Sequence, residues 1–159
     1  MTTAEYNQLV DEAADALYRY VLGIVRREED AADVVQDAFE KLWISRNKVL
    51  PGKGRSYLFS TAHNRSIDRL RRKRFTEEIQ PRHVVTSSSV PHDLQEWLQQ
   101  GLETLPPDQR SVLLLRDYEG YGYKEIAELT ELSMDQVKVY IFRARQALRA
   151  FIGEIENLV

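Results

Sequence analysis

Apolar side chains recur along this chain at intervals of three and four, and no alternating run is long enough to form a strand, so the pattern predicts an all-α fold. Tyr6, Leu9, Val10, Ala13, Leu17, Tyr20, Val21 and Ile24 form the stripe of a first amphipathic helix. A second starts near Glu28, where Glu29 and Asp30 suit a helix N-terminus, and turns Ala31, Val34, Val35, Ala38, Phe39 and Leu42 inward before closing at Trp43. Pro51, Gly52 and Gly54 in "NKVLPGKG" then break the period. A third helix is predicted from Arg55 to about Arg74, because Leu58, Phe59, Ala62, Ile67 and Leu70 share one half of the helical wheel. On the other half Tyr57, Asn64 and Arg71 form a line, flanked by Arg65, Asp68 and Arg72.

Residues 76–92, "TEEIQPRHVVTSSSVPH", hold two prolines, a serine run and no period, and read as a flexible linker between two small helical domains, 1–75 and 93–159. Beyond the linker, Leu94, Trp97, Leu98, Leu102 and Leu105 predict a short helix ending before Pro106. Pro107 and Asp108 suit the first turn of the next, which runs through "QRSVLLLRDY" to a turn at "EGYGY". A short helix around "KEIAEL", the connection "TELS" and a last helix from Met134 to about Ile152, capped by Ser133, complete the pattern.

The last two helices have the layout of a helix-turn-helix. On the final helix Val137, Ile141, Ala144, Leu148 and Phe151 lie within roughly 80 degrees of one another and face the core. In a docked helix-turn-helix the early residues of the second helix reach base edges while nearby cations meet phosphates. That geometry assigns base reading to Asp135, Gln136, Lys138 and Val139, and backbone anchoring to Arg143, Arg145 and Arg149. An ordinary basic helix in a bundle would show the same spacing.

Charge changes the picture. The net charge of −3 hides strong segregation: residues 46–75 carry ten Lys and Arg against one acid, and 138–159 carry four against two. Residues 1–45 and 76–137 are acidic, with four cations against ten acids and four against twelve. Two separated basic surfaces on an acidic body imply polyanionic partners that must be held in register. With no cysteine, the chain has no disulfide, thiolate metal site or cysteine nucleophile. The N-terminal stretch has no signal-peptide pattern and no apolar run approaches the ~20 residues of a membrane span, so a soluble cytoplasmic protein without membrane insertion is expected. "PGKGRS" lacks the spacing of a phosphate loop, and His63, His83 and His92 have no ligand-like spacing. No enzyme activity, metal or cofactor is expected, and His63, at the edge of its helix's apolar half, reads as a packing residue.

The stretch "LPPDQRSVLLLRDYEGYGYKEIAELTELSMDQVKVYIFRARQALR" resembles region 4 of bacterial sigma-70-type factors, "DAADVVQDAFEKLW" resembles their region 2.2, and "RSYLFSTAHNRSIDRLRRKR" resembles regions 2.3 and 2.4. The order and total length are similar to the extracytoplasmic-function (ECF) subfamily, which keeps only the second and fourth domains. The resemblance implies promoter-specific initiation with core RNA polymerase, docked on Asp33, Gln36, Asp37, Phe39 and Glu40. It further implies that Tyr57, Asn64, Arg65, Asp68, Arg71 and Arg72, with the "NKVLPGKG" loop, hold the melted non-template strand of the minus-ten element, where an aromatic stacks and an amide reads a base edge. The last helix would bind minus-thirty-five duplex DNA, and an anti-sigma factor would hold the protein inactive.

Three departures from the family pattern stand out. Tyr57 replaces a frequent Trp, Val139 and Tyr140 stand where Ser and Arg are common, and Glu131 stands where the turn often has Gly. Either Glu131 adopts a costly positive φ or the turn differs. A helix-turn-helix regulator that binds duplex DNA without polymerase is the rival reading, and it leaves the region 2.2-like helix and the 65–74 cations without a role.

Overall fold

The computed structural model describes residues 1–79 and 94–156, and among these there are helices and connections but no strand. α1 (Thr3–Val25), α2 (Glu28–Ser45) and α3 (Gly54–Ile79) form one group. α1 opens with a reciprocal cap in which Glu5 N–H donates to Thr2 Oγ1 at 3.1 Å and Thr2 N–H to Glu5 Oε2 at 3.2 Å. Three carboxylates, Glu28, Glu29 and Asp30, occupy the first turn of α2. Leu17, Val21 and Ile24 of α1, Ala31, Ala38 and Leu42 of α2, and Leu58, Phe59 and Ala62 of α3 are buried in the interior of this group.

The second group comprises α4 (Leu94–Glu103), α5 (Pro107–Leu113), α6 (Tyr123–Thr130) and α7 (Met134–Glu156). Leu102, Val112, Leu115, Ile126, Val137, Ile141 and Ala144 fill it. Gly101 lets α4 lie directly on α7, since a Cβ there would come within 2.8 Å of Leu148 Cδ2.

Three boundaries differ from the pattern. α3 runs past Arg74 to Ile79, so the first four residues of the predicted linker continue the helix, and the remainder, through residue 92, falls outside the described residues. The "QRSVLLLRDY" helix is not uniform: after Leu113 it widens into a π turn over Leu114–Tyr118, with Glu119 N–H donating to Leu114 O at 3.0 Å. α7 runs about one turn beyond Ile152, to Glu156.

The linker composition suggests loose coupling, yet the two groups share a buried seam. Gly23 of α1 sits so close to the π turn that a Cβ would meet Leu114 Cδ1 at 2.8 Å. Arg110, 7% exposed, donates from one guanidinium nitrogen to the carbonyl of Ile24 at the end of α1. Its other terminal nitrogen donates to the carbonyls of Glu103 (3.2 Å), the last residue of α4, and of Leu105 (3.0 Å) just beyond it. One cation thus serves the negative ends of two helices from different groups. Outside it, Arg19 grips Glu119 through two bonds of 3.0 and 3.1 Å, and Arg26 donates to Glu103 at 3.2 Å and to Gln99.

Deeper in the seam, Ser111 Oγ lies 2.6 Å from both the Tyr20 hydroxyl and His63 Nδ1. If the Tyr20 hydroxyl donates to Ser111 and Ser111 to His63, the imidazole is neutral with its proton assigned to Nε2, which faces the Asp108 carboxylate at 4.0 Å. Burial lowers the His63 pKa from 6.5 to about 4, against the opposing pull of Asp108.

Because the depressed pKa belongs to the packed state, this contribution to stability is whole above pH 6.5 and is lost as pH falls from 6.5 toward 4. Between pH 7 and pH 5 the loss from His63 amounts to about 2 kcal/mol. Urea unfolding at both pH values measures it: His63→Gln is expected to reduce the pH dependence by that amount, and an unchanged dependence would show that His63 titrates normally in the packed chain.

Candidate nucleic-acid interface

The period that buries Leu58, Phe59, Ala62 and Ile67 leaves the opposite side of α3 to water. Asn64, Arg65, Asp68, Arg71 and Arg72 are all exposed there. Tyr57, at the head of the same line, is half-buried, and its hydroxyl donates to Ser45 Oγ at 3.2 Å. That bond joins α3 to the end of α2 and leaves part of the ring for stacking. Arg69 is turned away from the exposed line toward α2, donating to the Asp30 carbonyl at 3.1 Å and pairing with the carboxylates of Asp30 and Asp33 at 3.5 Å.

On α2, Asp33, Gln36, Asp37 and Glu40 are exposed, and Gln36 donates to Glu40 at 3.2 Å. Phe39 is half-buried, and its carbonyl accepts from the Tyr6 hydroxyl at 3.0 Å. Asp37 also lines a groove between α2 and α3 that includes Arg65, Asp68, Arg69 and Arg72. The candidate polymerase face and the candidate minus-ten face therefore share an edge. The α2–α3 connection presents Leu50 to solvent at its tip and turns through Gly52 at φ 78°. Pattern reading gave Leu50 no individual role, since exposure at a loop tip leaves no periodic signal.

In the second group, α6 and α7 meet at a turn in which Glu131 has φ 60° and ψ 21°. Of the two alternatives for this residue, the structure takes the left-handed backbone. Ser133 and Gln136 then form a reciprocal cap: Gln136 N–H donates to Ser133 Oγ at 3.1 Å and Ser133 N–H to Gln136 Oε1 at 3.0 Å. The cap occupies the Gln136 side-chain oxygen that base reading would use. Arg145 is likewise engaged, donating to Asp117 through two bonds of 2.6 and 3.2 Å that hold its charge more firmly. Asp135, Lys138, Val139, Arg143 and Arg149 are exposed on α7. Lys138 and Arg116 also approach the Tyr123 ring, at 5.9 and 4.5 Å from its centroid. Met134 and Phe142, exposed on the same helix, carry no sequence-based assignment because apolar residues give no charge signal.

This geometry consists of two three- to four-helix units, an exposed cation line on one and a helix-turn-helix on the other. Comparison with known proteins agrees with it. The family description "Sigma-70 region 2" matches residues 9–76 and "Sigma-70, region 4" matches residues 95–148. The chain belongs to the sigma-70 family of RNA polymerase sigma factors, and within it to the ECF group. It is 30% identical over 159 residues to the RNA polymerase sigma factor YlaC of Bacillus subtilis, covering 91% of this chain and 87% of that one. It is 29% identical to the ECF RNA polymerase sigma factor SigE of Mycolicibacterium smegmatis over 94% of its own length, spanning 62% of that longer protein. Among solved structures, CnrH in complex with the cytosolic domain of CnrY is 26% identical with a TM-score of 0.72, covering 96% of this chain and 90% of that one. The sigma factor RpoE of Bartonella quintana, in complex with the anti-sigma factor NepR, shares the fold at a TM-score of 0.78 and 19% identity, covering 94% of this chain and 97% of that one.

The left-handed turn sets a measurable stability cost. A side chain there costs about 1–2 kcal/mol, of which glycine's greater unfolded-state freedom returns roughly half. Glu131→Gly is expected to stabilise the chain by about 0.5–1 kcal/mol, read as a higher midpoint in denaturant with an unchanged slope.

Proposed function

We propose that this sigma factor binds core RNA polymerase through the outer face of α2 and grips promoter DNA at two places. In this reading Asp33, Gln36, Asp37 and Glu40, with Phe39 at their rim, meet cations of the polymerase. Tyr57, Asn64, Arg65, Asp68, Arg71 and Arg72, with Leu50 at the adjoining loop tip, hold the melted minus-ten strand. The exposed face of α7 enters the major groove of the minus-thirty-five element, with Arg143 and Arg149 on phosphates. Arg145 acts as a positioning residue through Asp117, and Gln136 through the cap.

The observation that carries this reading is the pair of exposed cationic surfaces, one on each helical group. Two elements about 25 base pairs apart lie about 85 Å apart along B-form DNA. A packed body of this length has a radius of gyration of about 15 Å. The packed form therefore serves one element at a time, and engagement of both requires the seam to part on the polymerase. Its polar and ionic content suits a contact that opens reversibly. Two solved relatives in the fold are complexes with the anti-sigma factor NepR and with CnrY, which supports a regulatory protein partner for this chain as well.

Run-off transcription with core polymerase on a promoter library tests the proposal. Added protein should confer promoter-specific initiation; a regulator that needs no polymerase would not. Asp37→Arg is expected to reduce affinity for core polymerase, measured without DNA, by at least tenfold while helical content is unchanged, and unaltered affinity would remove α2 as the docking face.

A further inference from the structure

We propose that α7 recognises its upstream element through thymine methyl groups, using Val139 and Phe142 with Met134 beside them. The inference deepens the reading of α7 as the duplex-binding helix and rests on it.

In a docked helix-turn-helix the N-terminal part of the second helix faces base edges. Helical spacing from Met134 puts Asp135, Lys138, Val139 and Phe142 on one outward face, opposite buried Val137, Ile141 and Ala144. Phe142 is 65% exposed, and Val139 and Met134 are each 42% exposed. An exposed apolar surface of this kind on the outward face of a helix signals a partner. Charge identifies the partner: exposed Lys138, Arg143 and Arg149 frame the patch, so it sits inside a cationic rim suited to phosphate.

Hydrogen-bonding capacity narrows the choice of base. Adenine is read by an Asn or Gln amide and guanine by a bidentate Arg. On α7 the oxygen of Gln136 is taken by Ser133, and Arg145 is held by Asp117. The first two turns of the outward face retain Lys138 and Asp135 as polar readers and otherwise offer the carbon of Met134, Val139 and Phe142, with the Gln146 amide exposed one turn further toward the C-terminus. The feature of the major groove that matches carbon is the thymine C5-methyl.

Deoxyuridine tests this directly, because it removes that methyl and leaves base pairing and the O4 acceptor in place. A promoter selected by run-off transcription with the complete polymerase holoenzyme would carry deoxyuridine at each upstream thymine in turn. Loss of one buried methyl predicts a threefold to fivefold weaker binding at one to three of these positions and no change at the others. Val139→Ala and Phe142→Ala, at exposed sites, should weaken binding to the thymine promoter and erase the difference between thymine and deoxyuridine. If initiation is promoter-specific but deoxyuridine is tolerated everywhere, the inference fails while the sigma-factor reading stands. If the two variants weaken binding to both DNAs equally, the patch serves a protein surface and the inference again fails. If no promoter is selected with polymerase present, both readings fail together.

Discussion

The buried guanidinium of Arg110 fixes how the two helical groups of this chain meet. A charge removed from water costs several kcal/mol unless its donors are occupied, and here the carbonyls of Ile24, Glu103 and Leu105 occupy the two terminal nitrogens, while Nε is buried without a partner. The Ile24 carbonyl belongs to the last turn of α1, that of Glu103 closes α4 and that of Leu105 follows it, so satisfying the cation aligns two helix ends. Burial lowers its pKa, nearby Arg26 adds to the effect and Glu103 opposes it. Lysine would be a poor substitute, because three donors radiating from one nitrogen do not reproduce a planar fork between two helices. The Tyr20–Ser111–His63 cluster and the Arg19–Glu119 pair follow from this alignment.

The seam combines directed polar contacts with apolar ones such as Leu114 against Gly23 and Tyr121 against Phe59, and the polar part has two effects. Directed bonds define one packed geometry, and each of them can be exchanged for water or for a partner's groups when the halves separate. The chain's electrostatics obey the same economy of commitment. Arg69 and Arg145 are neutralised within the molecule, so the cations left outward on α3 and α7 are fewer than the sequence count implies. Modest affinity for DNA from each surface, joined by attachment to a large complex, yields bipartite selectivity through effective concentration.

The sequence made the helices legible because each buries one stripe: Leu17, Val21 and Ile24, or Val137, Ile141 and Ala144, are a periodic signal that burial then matches. The caps at Ser133 and the Pro107 start were equally local. Contacts between distant positions were not legible. Nothing in the neighbourhood of His63 announces Ser111, 48 residues away, and nothing near Arg110 announces the Ile24 carbonyl, 86 residues away. For the same reason the helical wheel could turn Val139 and Phe142 outward with the charged residues, while the use of Arg145 and Gln136 within the fold required coordinates.

The widened turn at Leu114–Tyr118 works as a phase shifter. It accommodates one residue more than an α-helix of the same rise, rotating everything after it by about 100 degrees relative to α5. Asp117 and Glu119 both lie at the exit of this turn, the first facing α7 and the second facing α1. Shortening the segment by a single residue would restore regular winding and swing both carboxylates off their arginines. One irregular turn therefore couples the orientation of the DNA-facing helix to the closure of the molecule.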